Sequence, residues 1–363
     1  MTLVHDLPTP ALLVDLDVLE RNLAAMQRRC DRLGVALRPH VKTHKCVEIG
    51  RMQIDAGAGG ITVATLEEAR AFADAGFDDL VWAFPVIVDR IHEAIEIARS
   101  STLRLLVDSA VAIDALEDAG HPFPVRLKVD CGYHRAGVDP GSDSALELAR
   151  RLHESAVLEF DGVLTHSGHA YHARSTADRA AIADEERDVM VAFAGRLRSE
   201  GIEVPTVSVG STPAMTAAED LTGVDEARPG NYAYFDATQV ALGSCGIGDC
   251  ALTVLASVVS TSTSGGRSVV DAGALALSKD AGPDGPTASM GALYGDYERK
   301  TIRGDARLVS VSQEHGQVDR ALDVGERVRI LPNHSCLTAA CFDTVHAVRG
   351  ERVAHVWRVH RER

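Results

Sequence analysis

No apolar run in the 363 residues reaches the roughly 18 needed for a membrane span. Residues 1–10 carry His5 and Asp6 where an export signal would place basic residues ahead of an apolar core, so no signal peptide is expected. Positive charge is scarce. Against 52 Asp and Glu there are 37 Lys and Arg, a net charge of −15, and such a surface repels nucleic-acid phosphates and anionic lipid. The seven cysteines have no regular spacing, which in a long chain without an export signal reads as reduced thiols rather than a disulfide framework. There is no short-period repeat and no low-complexity tail. The expectation is a cytoplasmic protein with neither nucleic acid nor membrane as a partner.

What is present is globular: 45% hydrophobic, 25% charged, 31 Gly and 13 Pro, at a length that suits two domains. Apolar runs rich in Val, Ile and Leu recur at 35–37, 61–63, 80–82, 103–107, 125–129, 160–164 and 206–209, with 232–235 a candidate eighth. Helical patterns such as 66–75 and 190–199 lie between them. Mostly apolar strands separated by helices suggest parallel strands covered on both faces. Eight such units predict an α/β fold with an N-terminal (β/α)8 TIM-like barrel. An open doubly wound sheet is the alternative, weakened because no G-x-G-x-x-G follows the first strand. After about residue 245 the pattern becomes short β runs with Gly or polar punctuation, at 252–260, 267–271, 306–312, 327–331, 345–348 and 352–359. They predict a C-terminal, mostly antiparallel β domain. The expected division is a barrel over 10–243 and a β domain formed by 1–9 and 244–363. The Gly-, Pro- and Asp-rich stretch 279–296 reads as one long loop.

Polar residues concentrate where the strand runs end, which in a barrel is the catalytic face. Arg38-Pro39-His40-Val41-Lys42-Thr43-His44-Lys45 follows the first run, and Pro39 stops ordinary pairing there. Lys42 becomes a Schiff-base nucleophile if burial lowers its pKa; the alternative is a basic surface loop. Ser208-Val209-Gly210-Ser211-Thr212-Pro213 combines a Gly with hydroxyl donors at a helix start, a pattern that cradles phosphate, and Arg228-Pro229-Gly230-Asn231-Tyr232 arrives beside it. Within Pro332-Asn333-His334-Ser335-Cys336, an extended segment puts His334 and Cys336 on one face, where imidazole and thiolate can share an ion and leave positions open. Nitrogen plus sulfur favours Zn2+ over Mg2+. Asp130 to Val138 and Thr165 to Tyr171 load two further strand exits with Arg135, His134, His166, His169 and Tyr171. In the second domain, Asp271 and Gln313-Glu314-His315-Gly316 are candidates for closing the barrel mouth, in the same subunit or a partner.

Taken together and in this order, these pieces resemble the D-serine dehydratase / D-threonine aldolase family of alanine-racemase-like, fold-type III pyridoxal-phosphate enzymes. The matching pieces are Thr9-Pro10-Ala11, Arg38-Pro39-His40-Val41-Lys42-Thr43-His44, His134-Arg135-Ala136-Gly137-Val138, Gly210-Ser211-Thr212-Pro213, Ser312-Gln313-Glu314-His315-Gly316 and Pro332-Asn333-His334-Ser335-Cys336. They span nearly the whole chain. The resemblance implies pyridoxal 5'-phosphate held covalently by Lys42, the catalytic residue, and a homodimer with its sites at the barrel mouths. It implies Gly210, Ser211, Thr212, Gly230 and Asn231 around the phosphate, and His40, Arg135, His169 and Tyr171 lining the cofactor. It implies His334 and Cys336 as ligands of a divalent metal, Zn2+ ahead of Mn2+ or Mg2+.

The same resemblance implies a lyase acting on a small D-3-hydroxy amino acid. Members with His-x-Cys resemble the dehydratase branch, whereas aldolase members carry His-x-Asp, so dehydration of D-serine to pyruvate and ammonia is the expected activity. The alternative is retro-aldol cleavage to glycine and an aldehyde. An amino-acid racemase is a further option, needing a second base such as Tyr294 or Tyr297, as is a non-catalytic protein that binds the same cofactor.

Overall fold

The computed structural model describes residues 2–262, 265–282 and 289–362. The chain divides into two compact units, one formed by residues 25–42 and 49–230 with the last two residues, the other by 1–24, 43–48 and 231–361.

Strand β1 (Ala11–Asp15) belongs to the second unit, and the next eight strands build the first. These are β2 (Ala36–Leu37), β3 (Ile61–Val63), β4 (Asp79–Pro85), β5 (Thr102–Val107), β6 (Pro124–Lys128), β7 (Glu159–Leu164), β8 (Val207–Val209) and β9 (Glu226–Ala227). All pair in parallel, in the order β2-β9-β8-β7-β6-β5-β4-β3. A parallel bridge from His40 to Thr62 joins the two ends of that order, so the sheet curls back on itself as a TIM-like barrel. The open-sheet alternative falls. Seven of the eight strands lie where the apolar runs placed them. The eighth is the pair Glu226–Ala227, not 232–235, which instead opens with a 3-10 turn at Asn231–Ala233. Two residues, one of them a charged Glu, carry too weak an apolar signal to be read as a strand. The helical stretches predicted around 66–75 and 190–199 are Leu66–Asp74 and the end of Thr176–Ser199. Ser and Thr N-caps at Thr65, Ser109, Ser142, Ser175 and Ser211 start five of the helices, each accepting a bond from a backbone N–H that has no partner within the helix.

A closed circuit of charge runs through the barrel strands. Arg38, just beyond β2, binds Asp79 of β4 with both terminal nitrogens, at 2.7 and 3.0 Å. Arg104 of β5 pairs with Asp79 and, at 3.1 Å, with Asp161 of β7. Arg126 of β6 reaches Asp161 at 2.5 Å and Glu226 of β9 at 2.6 Å, and Glu226 pairs back to Arg38. Three cations thus alternate with three anions and no charge in the ring is left over. Ser208 donates to Glu226 at 2.6 Å and takes a bond from Arg228. Burial alone would raise the Glu226 carboxyl, but Arg126 and Arg38 hold it well below the usual carboxylate range.

The second unit is a ten-stranded, mostly antiparallel sheet. Its strands after β1 are β10 (Leu252–Ser262), β11 (Arg267–Val270), β12 (Ala292–Asp296), β13 (Thr301–Ile302), β14 (Leu308–Val311), β15 (Gly316–Val318), β16 (Arg327–Leu331), β17 (Thr344–Arg349) and β18 (Arg352–Arg358). Among the described residues its one parallel pair is β1 with β17. Thr9-Pro10-Ala11, matched to the family at the barrel's entrance, therefore leads into this sheet. The stretch read as a loop over 279–296 contains β12, which pairs with β16; residues 283–288 within it lie outside the described residues. Asp271 accepts bonds from Thr9 Oγ1 at 2.5 Å and Ser257 N at 2.7 Å, which makes it a tie within the sheet. Gln313-Glu314-His315 form the turn from β14 into β15.

Candidate active site

Lys42 occupies the 3-10 turn Val41–Thr43, between the end of β2 and the helix Val47–Asp55. His40 is anchored by its backbone, donating to Pro229 O at 3.0 Å, and its Nδ1 receives the Lys42 N–H at 3.5 Å. Pro39 has no N–H to give, so the regular ladder of β2 stops before it; the Pro39 carbonyl still accepts Thr62 N at 2.9 Å in the single bridge His40–Thr62, and the chain then turns.

At the ends of the neighbouring strands four cations, Lys42, Arg135, Lys128 and Arg228, converge electrostatically on His166. That imidazole is half-buried, with Nδ1 3.4 Å from Gly210 O. Burial and then the four cations push its pKa well below the ordinary value, so His166 is a neutral ring at physiological pH. Burial, with Arg228 and Arg135 as cationic neighbours, lowers Lys128 to about 8. Such an excess of buried positive charge is costly unless an anion offsets it. Glu186 is the carboxylate that faces this cluster, and it accepts the N–H groups of Ser167 at 2.9 Å and Gly210 at 3.2 Å. The chemistry of this donor set fits a phosphate dianion.

Gly210, Ser211 and Thr212 lie together at the end of β8. Gly210 has φ of +107°, a conformation that favours glycine, and a Cβ there would approach Arg228 N and Met215 Cγ to 3.2 Å. Ser211 caps the helix Thr212–Ala217 through Ala214 N at 3.3 Å, and its hydroxyl is 3.4 Å from that of Ser167. Gly230 follows β9, one residue after Pro229, whose carbonyl holds His40. Arg135 lies over the Tyr133 ring at 5.2 Å, and His169 is 6.2 Å from that ring with its Nδ1 buried and without a partner among the described residues. Tyr171 shares the 3-10 turn Gly168–His172 with His169.

In the second unit, His334 and Cys336 flank the start of the short helix Ser335–Ala339. The His334 Nδ1 is 2.5 Å from Asp280 Oδ2, and the Cys336 thiol acts on its charge as well. Thr43 Oγ1 lies 3.2 Å from Cys336 Sγ. Thr43 is the next residue in the chain after Lys42. Burial would raise the thiol, but His334 and Thr43 lower its pKa; Cys336, Asp280 and Asp236 bring His334 up to about 10 against the effect of burial. An imidazole beside an acidified thiol is a donor pair that fits a divalent metal, zinc first. Among the described residues no group of three or more His, Cys, Asp and Glu is arranged to hold an ion.

Asn231, expected with the phosphate residues, has its amide on Asp236 Oδ2 at 2.6 Å, Ser335 Oγ at 3.1 Å and Cys336 Sγ at 3.7 Å. The structure thus brings it to the His334–Cys336 pair. Tyr294 and Tyr297, the candidate second bases, stack edge to face at 5.1 Å. Tyr297 donates to Asp15 Oδ2 at 2.9 Å beneath Arg329, which holds its phenol in a structural contact. Four contributors escaped the sequence reading: Asp280, Thr43 as a partner of Cys336, Asp236, and Lys128 as a buried cation. Lys128 ends an apolar strand, where a Lys is itself a signal.

The N-terminal domain of alanine racemase matches residues 14–238, and a putative serine dehydratase domain matches 251–348. A D-threo-3-hydroxyaspartate dehydratase from a Delftia species is 39% identical, with 97% of each chain covered. Its solved structure superposes with a TM-score of 0.93 at 37% identity over 99% of each chain. Another structure of that dehydratase, carrying a cysteine-to-alanine substitution, is described as the metal-free form. A D-serine dehydratase from Dictyostelium discoideum is 34% identical over 96% of this chain and 95% of its own. A D-threonine aldolase structure from Filomicrobium marinum matches with a TM-score of 0.88 at 31% identity, covering 99% and 98% of the two chains. With the curled parallel barrel, the β domain and matches end to end, the chain belongs to the alanine-racemase-like family of D-serine dehydratases and D-threonine aldolases.

Proposed function

We propose that this protein is a pyridoxal-phosphate- and divalent-metal-dependent lyase that eliminates water from D-3-hydroxy amino acids, D-serine being the simplest substrate. The observation that carries the reading is the bond from Thr43, next to Lys42, to the acidified thiol of Cys336. It gives the metal-type donor pair a polar partner one residue along the chain from Lys42, the family's cofactor-lysine position. Bound pyridoxal phosphate supplies an electron sink for charge at Cα, and a bound Zn2+ supplies a Lewis acid for charge developing on the β-oxygen.

The chain's own residues divide the remaining work. Lys42 would hold the cofactor aldehyde, and its Nζ would be the base that accepts the Cα proton. Lys128, Arg135 and Arg228 offer the charge a phosphate needs, and Gly210, Ser211, Thr212 and Gly230 let the backbone come close to it. Neutral His166, with His40, His169 and Tyr171, would line the cofactor. His334 and Cys336 would hold the metal, with Asn231 and Asp236 fixing the backbone between them. Loss of Cα–H and β-hydroxide releases water, and hydrolysis of the resulting enamine gives a 2-oxo acid and ammonia.

Cys336 distinguishes this reading from retro-aldol cleavage, which the similarity to D-threonine aldolases keeps as a second reading. The similarity to the Delftia dehydratase adds D-threo-3-hydroxyaspartate as a candidate substrate. Incubating the purified holoenzyme with D-serine, D-threonine and D-threo-3-hydroxyaspartate separates the readings. Pyruvate, 2-oxobutyrate or oxaloacetate with equimolar ammonia is expected. Glycine and an aldehyde with no oxo acid would overturn the dehydratase assignment.

A further inference from the structure

We propose that Asp280 is a positioning residue for His334: its carboxylate accepts the Nδ1–H and thereby leaves Nε2 as the lone pair offered to the metal. The proposal rests on the metal reading above and adds a residue to it. Asp280 Oδ2 lies 2.5 Å from His334 Nδ1. A neutral imidazole carries one N–H and one lone pair, so a carboxylate on Nδ1 selects the tautomer whose donor is Nε2. Carboxylate–histidine pairing of this kind fixes the ring's orientation and raises its basicity as a ligand.

The second observation is how Asp280 is itself held. The amide of Asn333, the residue before His334, donates to Asp280 O at 3.0 Å and to Ser289 O at 2.7 Å. Gly282 N donates to the same Ser289 O at 3.0 Å, and a Cβ at Gly282 would come within 3.1 Å of Asn333 Oδ1. Asn333 is only 2% exposed. Two consecutive residues of the Pro332–Cys336 motif therefore grip Asp280, Asn333 by its carbonyl and His334 by its carboxylate. An ordinary ion pair between groups 35% and 47% exposed contributes little stability and has no need of a buried amide pinning one partner's backbone. Delivery of a ring to an ion does need it. On the far side of His334, Asp236 Oδ2 receives Ser335 N at 2.9 Å and Ser335 Oγ at 3.1 Å, so the backbone between the two ligands is fixed as well.

The test is the Zn2+ affinity of the pyridoxal-phosphate-loaded protein, measured by competition with a chromogenic chelator, for wild type, Asp280→Ala, Asp280→Asn and His334→Ala. Asp280→Ala is expected to weaken binding roughly 10- to 100-fold. Asp280→Asn recovers most of that loss, because its amide oxygen still accepts the Nδ1–H. The cofactor's visible absorbance and the thermal midpoint stay as in wild type for both Asp280 variants. Affinity of Asp280→Ala within twofold of wild type overturns the proposal, as does Asp280→Asn being as weak as Asp280→Ala. Loss in His334→Ala with none in Asp280→Ala removes the positioning role alone. A wild-type protein that takes up no zinc, or a His334→Ala variant with wild-type affinity, removes the metal reading and this proposal with it.

Discussion

Glu226→Gln is the sharpest test of the barrel's internal charge circuit. Glu226 is 4% exposed and bonds Arg126, Arg38 and Ser208 at once. The substitution keeps the shape but removes the charge, leaving Arg126, 1% exposed, with Asp161 as its remaining anionic partner. Breaking a buried ion pair from one side costs about 3–5 kcal/mol, because the other charge stays buried without compensation. For a unit of this size about 1 kcal/mol shifts the melting temperature by roughly 2–4 °C, so a drop on the order of 6–20 °C is expected by calorimetry at pH 7. The pH dependence has a definite sign. The folded-state pKa of Glu226 lies below its unfolded value of 4.5, so the stability it contributes is present above that pH and is lost as pH falls toward the folded value. The gap between wild type and Glu226→Gln should therefore be widest near neutrality and narrow below about pH 4.5. A variant that melts within about 2 °C of wild type at pH 7, or a gap that widens in acid, would show that the circuit does not hold the barrel together.

Lys42→Ala should abolish the yellow absorbance of the lysine-bound cofactor, its trapping by borohydride, and turnover; survival of all three contradicts the assignment. Cys336→Ala should lower the metal content found by elemental analysis and cut turnover while the cofactor remains bound, and a stoichiometric metal content would count against the pair. In the cofactor-free protein, Lys128 has a folded pKa of about 8 against 10.5 for a free side chain. The unfolded state then binds more protons between those values, so stability should rise as pH climbs through that window, by up to about 3 kcal/mol. Lys128→Met should flatten that rise in urea titrations. Gly210→Ala forces a side chain onto a φ of +107° and against Arg228 N, which should cost about 1–3 kcal/mol and weaken cofactor uptake. Normal uptake would show that this turn is not used.

Much of the barrel was legible because parallel strands buried on both faces are apolar throughout, and such runs stand out between amphipathic helices. Most strands that escaped notice had few side chains to show: β9 is two residues, β15 is three, and β12 and β13 are brief runs beside a Gly- and Asp-rich stretch; β1 is the exception, an apolar run whose place in the second sheet is set by pairing with β10 and β17, far away in the chain. Lys42, His334 and Cys336 could be picked out because each lies in a short motif with its own chemistry. Asp280 could not, since it is 54 residues from His334 in the chain and one Asp among many in a loop-like segment. Asn231 was placed with the phosphate residues by the family resemblance; the bonds of its amide to Asp236, Ser335 and Cys336 join residues up to about a hundred positions apart and could not be read from the sequence.

The sequence by itself determined the order of elements, the two textures of the chain and the residue types that could bear chemistry, since periodicity and local motifs are encoded over a few neighbouring positions. Which distant groups share a proton or a charge was decided only by the tertiary structure. The six-membered charge circuit, the four cations around His166, and the Asp280–His334 and Thr43–Cys336 bonds join residues tens to hundreds of positions apart. Electrostatic energy depends on distance and burial in space, and no local pattern carries either.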